Sequence, residues 1–211
     1  MFENLSILEI IIVVALPILS AVILHEVAHG YVAYLLGDNT AKMMGRLSLN
    51  PIKHIDPIGT ILIPALLVMI QAGFVFGYAR PVPVNWFNLK NPKIDMVKVA
   101  IAGPLTNLCL AFFWAITLKF FIPTEIHLLI LMAELGVFLN IFLMVFNLLP
   151  VPPLDGGRVL RGFLPDKYAI YLDKAEPYGM IIVVLLLISG YLMPIMKPII
   201  LFFLEIIKYV V

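Results

Sequence analysis

The stretch "SAVILHEVAHGYVA", residues 20–33, places two histidines and a glutamate inside an apolar run. His25 and His29 are four apart, so on a helix their rings leave one face with Cβ atoms roughly 5–6 Å apart, close enough to share a metal ion. Zinc takes imidazole nitrogens at about 2.0–2.1 Å, and a catalytic zinc uses three protein ligands plus water. Glu26 stands where it can take a proton from that water, whose pKa the metal lowers to about 7. Each ionisable group at membrane depth costs on the order of 2.5–3.5 kcal/mol on insertion scales, so three within one helical turn demand a partner. Two histidines packed in a bundle by accident would leave that cost unanswered.

The depth follows from what surrounds the stretch. Of 211 residues, 63% are hydrophobic and 13% charged, against roughly 45–50% and about 25% in soluble domains. Apolar stretches near residues 7–24, 58–76, 99–118, 127–149, 178–193 and 198–211 approach or reach the roughly 17–25 residues a spanning helix needs. The expectation is an all-α polytopic membrane protein of five to six transmembrane helices. The leader "MFENLSILE" has Glu3 and Glu9 but no lysine or arginine, and no clear small-residue cleavage site follows, so it reads as part of the mature chain. A lone Cys109 cannot form an intramolecular disulfide, and a net charge of +1 names no nucleic-acid partner. With no repeat and no long polar segment, residues 1–211 read as one membrane-embedded domain, its core about 7–160 and its C-terminal helices about 178–211.

Basic residues orient the chain. Lys42, Arg46 and Lys53 lie in the first polar loop, Arg80, Lys90, Lys93 and Lys98 in the second, and Arg158, Arg161, Lys167 and Lys174 in the third. If all six stretches crossed, the lysine and arginine split would be nine against five; if residues 58–76 re-enter, it becomes twelve against two. The re-entrant reading is favoured, with the three loops on the cytoplasmic side. Pro57, Gly59, Pro64 and Gly73 could break a helix there, although proline and glycine also occur in ordinary kinked spans.

A third ligand must reach the same depth, which leaves His54, Asp56, His127, Glu134 and Asp155 outside the first helix. Asp155 stands out in "FNLLPVPPLDGGR", where Pro150, Pro152 and Pro153 end a helix and Gly156 and Gly157 permit tight turning. It also reads as a plain turn aspartate. With a re-entrant second segment, two crossings separate it from HEVAH, and the two can meet on the basic side.

At these motifs the chain resembles the site-2 protease family of intramembrane zinc metalloproteases, in its short form without added soluble domains. The matching residues are "HEVAH" at 25–29, "AGPLTN" at 102–107 and "NLLPVPPLDGGR" at 147–158. The resemblance implies a peptidase that cuts transmembrane segments of membrane proteins, with one zinc held by His25, His29 and Asp155, Glu26 as general base, and Asn147 stabilising the oxyanion or holding substrate. It implies a bilayer and a transmembrane protein substrate as partners, and the cell membrane as location. HEVAH lies in the very first apolar stretch, whereas some members carry a spanning helix before it.

Other residues read two ways. In "YARPVPVN", 78–85, Pro81 and Pro83 put both missing N–H groups on one edge, leaving Val82 and Val84 to pair as a short membrane-associated β segment that could hold substrate, or as a turn that merely joins helices. His54 could approach the site or face headgroups. Asn107 suits a hydrogen bond within the core, while Gly103 and Pro104 suit close packing and a kink. His127 reads as an interfacial end, Glu134 as a bundle-facing polar position, and residues 161–179 as a short amphipathic surface helix. The competing function is a zinc-binding membrane module or metal carrier without hydrolysis, which has no need of Glu26.

Overall fold

Helix α1 runs from Ile7 to Leu35, well past the apolar stretch expected to end near residue 24. It opens on a capping box: the Ser6 hydroxyl accepts the Glu9 N–H, and the Glu9 carboxylate accepts the Ser6 N–H at 2.8 Å. Val13, Pro17, Ala21, His25, His29 and Ala33 are buried and recur every four residues, the spacing that keeps side chains on one face. One continuous packed face therefore carries both histidines. The computed structural model describes residues 5–71 and 77–211; residues 1–4 and 72–76, with the expectations placed on Glu3 and Gly73, lie outside it.

After α1 come a short helix α2 (Thr40–Met43), a 3-10 turn at Pro51–His54, and a π-helical turn at Pro57–Leu62 that continues into α3 (Ile63–Met69). Even taken together, Pro57–Met69 is about 20 Å long, short of the roughly 30 Å hydrocarbon layer. Two backbone bonds mark where this excursion turns back. The Tyr78 N–H donates to the Gly59 carbonyl at 3.1 Å, and the Lys90 N–H donates to the Leu36 carbonyl at 3.3 Å. The chain departs at Leu36 and rejoins at Lys90 in the same place.

Helices α4 (Pro92–Phe121) and α5 (His127–Asn147) are joined by a 3-10 turn at Ile122–Thr124 and pack along each other and α1. Ala111, Trp114 and Ala115 of α4 meet Val137, Ile141 and Met144 of α5 in the main apolar core. Then follow α6 (Asp155–Phe163), α7 (Asp166–Ala175), α8 (Gly179–Ile188) and α9 (Leu192–Lys208), the last closing over that core through Leu192, Met196 and Ile200.

Three helices, Ile7–Leu35, Pro92–Thr124 and His127–Asn147, are long and apolar enough to cross a membrane, and Asp166–Ile188 with Leu192–Lys208, bent by 84°, make up to a fourth. Among the described residues this is fewer than the five to six expected. The cause is physical: Pro57–Met69 forms only a π-helical turn and a short helix, and Asp166–Ile188 with Leu192–Lys208 are two limbs of one bent pair. Lys119 Nζ donates to the Val210 carbonyl at 3.0 Å, so the end of α9 lies beside the end of α4. Lys208 therefore belongs with Lys119, not with the basic loops. No strand forms among the described residues, so the expected β segment at 78–85 is not seen; the Tyr78 and Arg80 N–H groups go to the Gly59 and His54 carbonyls of the helical turns, and those of Val82 and Asn85 to the Glu26 and Asp38 carboxylates.

Candidate metal centre

The centre is assembled from three helices. Helix α1 supplies His25 and His29 from its packed face, and α4 runs beside them with Gly103 at the crossing. A Cβ at Gly103 would stand 2.4 Å from His29 Nε2 and 2.6 Å from His25 Nε2, so the absence of a side chain is what lets α4 approach. Prolines 150, 152 and 153 stop α5, and a turn closed by the Leu154 N–H on the Val151 carbonyl at 3.0 Å brings Asp155 in as the first residue of α6. His25 Nε2 and His29 Nε2 lie 3.0 Å apart, and Asp155 Oδ2 lies 3.2 Å from the first and 3.3 Å from the second. All three side chains are buried.

The tautomers follow from the partners. His29 Nδ1 is 2.7 Å from the Val99 carbonyl, which can only accept, so Nδ1 carries the proton. His25 Nδ1 is 2.6 Å from Asn107 Oδ1. The Asn107 orientation is fixed because its Nδ2 donates to the Ala21 carbonyl at 3.2 Å and to Asn140 Oδ1 at 3.0 Å, and Asn140 Nδ2 in turn donates to the Gly136 carbonyl at 2.8 Å. An acceptor-only carbonyl at each end thus directs the whole chain, and His25 also holds its proton on Nδ1.

In the neutral rings both Nε2 atoms therefore present lone pairs to each other and to the Asp155 carboxylate oxygen, which has no other hydrogen-bond partner. Only a cation or a shared proton relieves three facing acceptors. Tetrahedral ligands at about 2.0–2.1 Å stand roughly 3.3–3.4 Å apart, close to the separations found here. Two imidazoles and a carboxylate, with the outer imidazole nitrogens tied down, fit a metal ion of zinc's size and ligand preference.

Glu26 is half-buried, and its Oε2 accepts the Val82 N–H at 2.7 Å. With His25 it borders a cavity of about 160 Å³ that is otherwise lined by Val22, Tyr78, Ala79, Leu143, Phe146, Asn147, Leu154, Met180 and Val183, among others. Asn147 reaches this cavity from the last turn of α5, with its Nδ2 donating to the Leu143 carbonyl at 2.9 Å.

The remaining candidates lie elsewhere. The cluster of potential ligands among the described residues contains His25, His29 and Asp155 alone. His54 is buried but donates from Nε2 to the Ser48 carbonyl at 2.7 Å, and Asp56 caps the Ile58 and Gly59 N–H groups. His127 begins α5 at an exposed end. Glu134 is exposed rather than bundle-facing, because the buried face of α5 passes through Ala133, Gly136, Val137 and Asn140. Asn140 was not legible in the sequence. An isolated asparagine in an apolar helix carries no spacing signal, and only its contact with Asn107 reveals a role.

The Peptidase family M50 model matches residues 124–190, which include Asn147 and Asp155. The chain is 43% identical over 173 residues to the "Putative zinc metalloprotease YwhC" of Bacillus subtilis, covering 79% of this chain and 75% of that one. It is 33% identical over 186 residues to the "Putative zinc metalloprotease Rip2" of Mycolicibacterium smegmatis, covering 88% and 70%. No solved structure matches it. On the extent of these likenesses, the chain belongs to peptidase family M50, the site-2 proteases.

Proposed function

We propose that the protein is a zinc metalloendopeptidase that hydrolyses peptide bonds in or near transmembrane segments of other membrane proteins. The observation that carries this reading is the meeting of His25 Nε2, His29 Nε2 and Asp155 Oδ2 within 3.0–3.3 Å of one another, beside a cavity that also holds Glu26 and Asn147. His25, His29 and Asp155 would hold zinc, which when bound polarises a peptide carbonyl and makes water acidic enough to attack at neutral pH.

The chain's own groups do the rest. Glu26 accepts the proton of the attacking water and returns it to the departing amine. Asn147 spends one amide N–H on the Leu143 carbonyl and keeps the second for the oxygen that gains charge. Val22, Leu143, Phe146 and Leu154 give the cavity apolar walls, which lower the local dielectric and strengthen both interactions. The excess of basic residues in the three polar loops supports a site on the cytoplasmic side of the cell membrane, with the apolar stretch 58–76 re-entering the bilayer. The test is the pair Glu26→Gln and His25→Ala: the first should abolish cleavage while keeping zinc, the second should lose both, and cleavage by Glu26→Gln would sink the mechanism.

A further inference from the structure

Glu26 has a partner that the proton-transfer role does not require. Its Oε2 accepts the Val82 N–H at 2.7 Å, a charge-assisted bond that leaves Oε1 for water. Val82 lies between Pro81 and Pro83, so it offers the sole backbone donor between Arg80 and Val84. A slip of one residue would set a proline against the carboxylate. The register of this short strap over α1 must therefore be fixed by something else, and three contacts do so.

Arg46, a buried guanidinium, donates from Nη2 to the Arg80 carbonyl at 2.7 Å and to the Pro81 carbonyl at 3.3 Å. The Arg80 N–H donates to the His54 carbonyl at 2.9 Å. Gly30, one turn beyond Glu26 on α1, leaves the space in which the Val82 and Leu47 side chains sit: a Cβ there would be 2.6 Å from each. Of these, Arg46 grips the two carbonyls immediately before the Val82 amide, and among the described residues its guanidinium makes its hydrogen bonds there.

We infer that Arg46 is a positioning residue for the general base: by holding the Arg80 and Pro81 carbonyls it seats the Val82 N–H on Glu26 and aims the free carboxylate oxygen at the reacting water. This rests on Glu26 acting as the base. Both bonds come from the single nitrogen Nη2, so a lysine ammonium offers the same kind of donor on a shorter stem that lacks the rigid guanidinium plane.

The experiment uses the full chain, zinc-loaded in detergent micelles, with fluorescein-labelled β-casein as a probe that needs no unwinding. Arg46→Met should lower kcat by about 10²-fold, the scale of a misplaced reacting group, with KM and zinc content unchanged. Arg46→Lys should recover part of that loss. Val82→Pro, which deletes the N–H and leaves Arg46 intact, should match Arg46→Met. Exchange of the Val82 amide should speed up in Arg46→Met. Wild-type kcat in either Arg46→Met or Val82→Pro, a loss confined to KM or to zinc content, or unchanged Val82 exchange would overturn the inference. Cleavage by Glu26→Gln, or none by the wild type, would instead strike the peptidase reading, and Val82 exchange would still decide whether Arg46 holds the strap.

Discussion

Asn107 Oδ1 lies 2.6 Å from His25 Nδ1, and the amide that makes this contact has no exposed surface at all. It joins α4 to the helix that carries both histidines and leaves His25 Nε2 facing His29 and Asp155. Replacing Asn107 by leucine frees the ring to turn and to change tautomer. Zinc affinity, read by competition with a chromophoric chelator, is expected to fall about 10–100-fold, the usual effect of losing an outer partner of a metal-binding histidine. Unchanged affinity would show that the contact is only packing.

Asn140 acts one step further out. Its removal strands the Asn107 Nδ2 hydrogen that now meets Asn140 Oδ1 at 3.0 Å. Asn140→Leu is expected to destabilise the folded chain by about 1–3 kcal/mol, the cost of an unsatisfied buried donor, with a smaller fall in zinc affinity than Asn107→Leu. Calorimetric melting of both variants in the same detergent compares them.

Gly103 is the tightest point of the centre. Even alanine would bring a carbon within 2.6 Å of both ligand nitrogens. Gly103→Ala is expected to lower zinc stoichiometry in the purified protein while far-ultraviolet circular dichroism stays as in the wild type. A fully loaded Gly103→Ala would mean that α1 and α4 can separate at little cost.

Metal removal should be felt as lost stability. At about one hundred times the dissociation constant, a ligand bound only by the folded form contributes about 2.7 kcal/mol. Chelation should lower the melting temperature of the wild type accordingly and leave Asp155→Asn, already deprived of its carboxylate ligand, almost unmoved.

Asp38 supplies a pH signature away from the metal. Burial pushes its carboxyl up, but hydrogen bonds from Thr40, from the Asn88 side chain and from the Asn85 N–H outweigh this and hold it below the usual carboxylate range. A depressed folded value means that the stabilisation is present above the unfolded pKa of about 3.9 and is lost as pH falls through the folded value. Asp38→Asn should therefore melt below the wild type at pH 7, and the difference should shrink below about pH 4.

The residues that were legible in the sequence share a property. His25, Glu26 and His29 announce themselves by a four-residue helical spacing, and Asp155 by the prolines and glycines around it; both signals are local. The expectation that they meet rested on parity, and the structure brings the four side chains to one centre and its cavity. What escaped was non-local. Arg46 and Asn140 have ordinary neighbours and acquire roles from carbonyls and amides dozens of residues away. The C-terminal limbs look like two spans because hydropathy measures composition over a window and is blind to the 84° bend that makes them one pair. Residues 78–85 have the alternation of a strand edge but find a carboxylate where a neighbouring strand would be.

The hydrogen bond between Leu36 and Lys90 also bears on how such a chain can change over time. Because the excursion starts and finishes at one point, residues can be added to or deleted from it without reversing the direction of any helix that carries a ligand. Length variation in this part of the molecule is thereby uncoupled from the chemistry, so long as Arg46 and the strap it holds still reach back to α1.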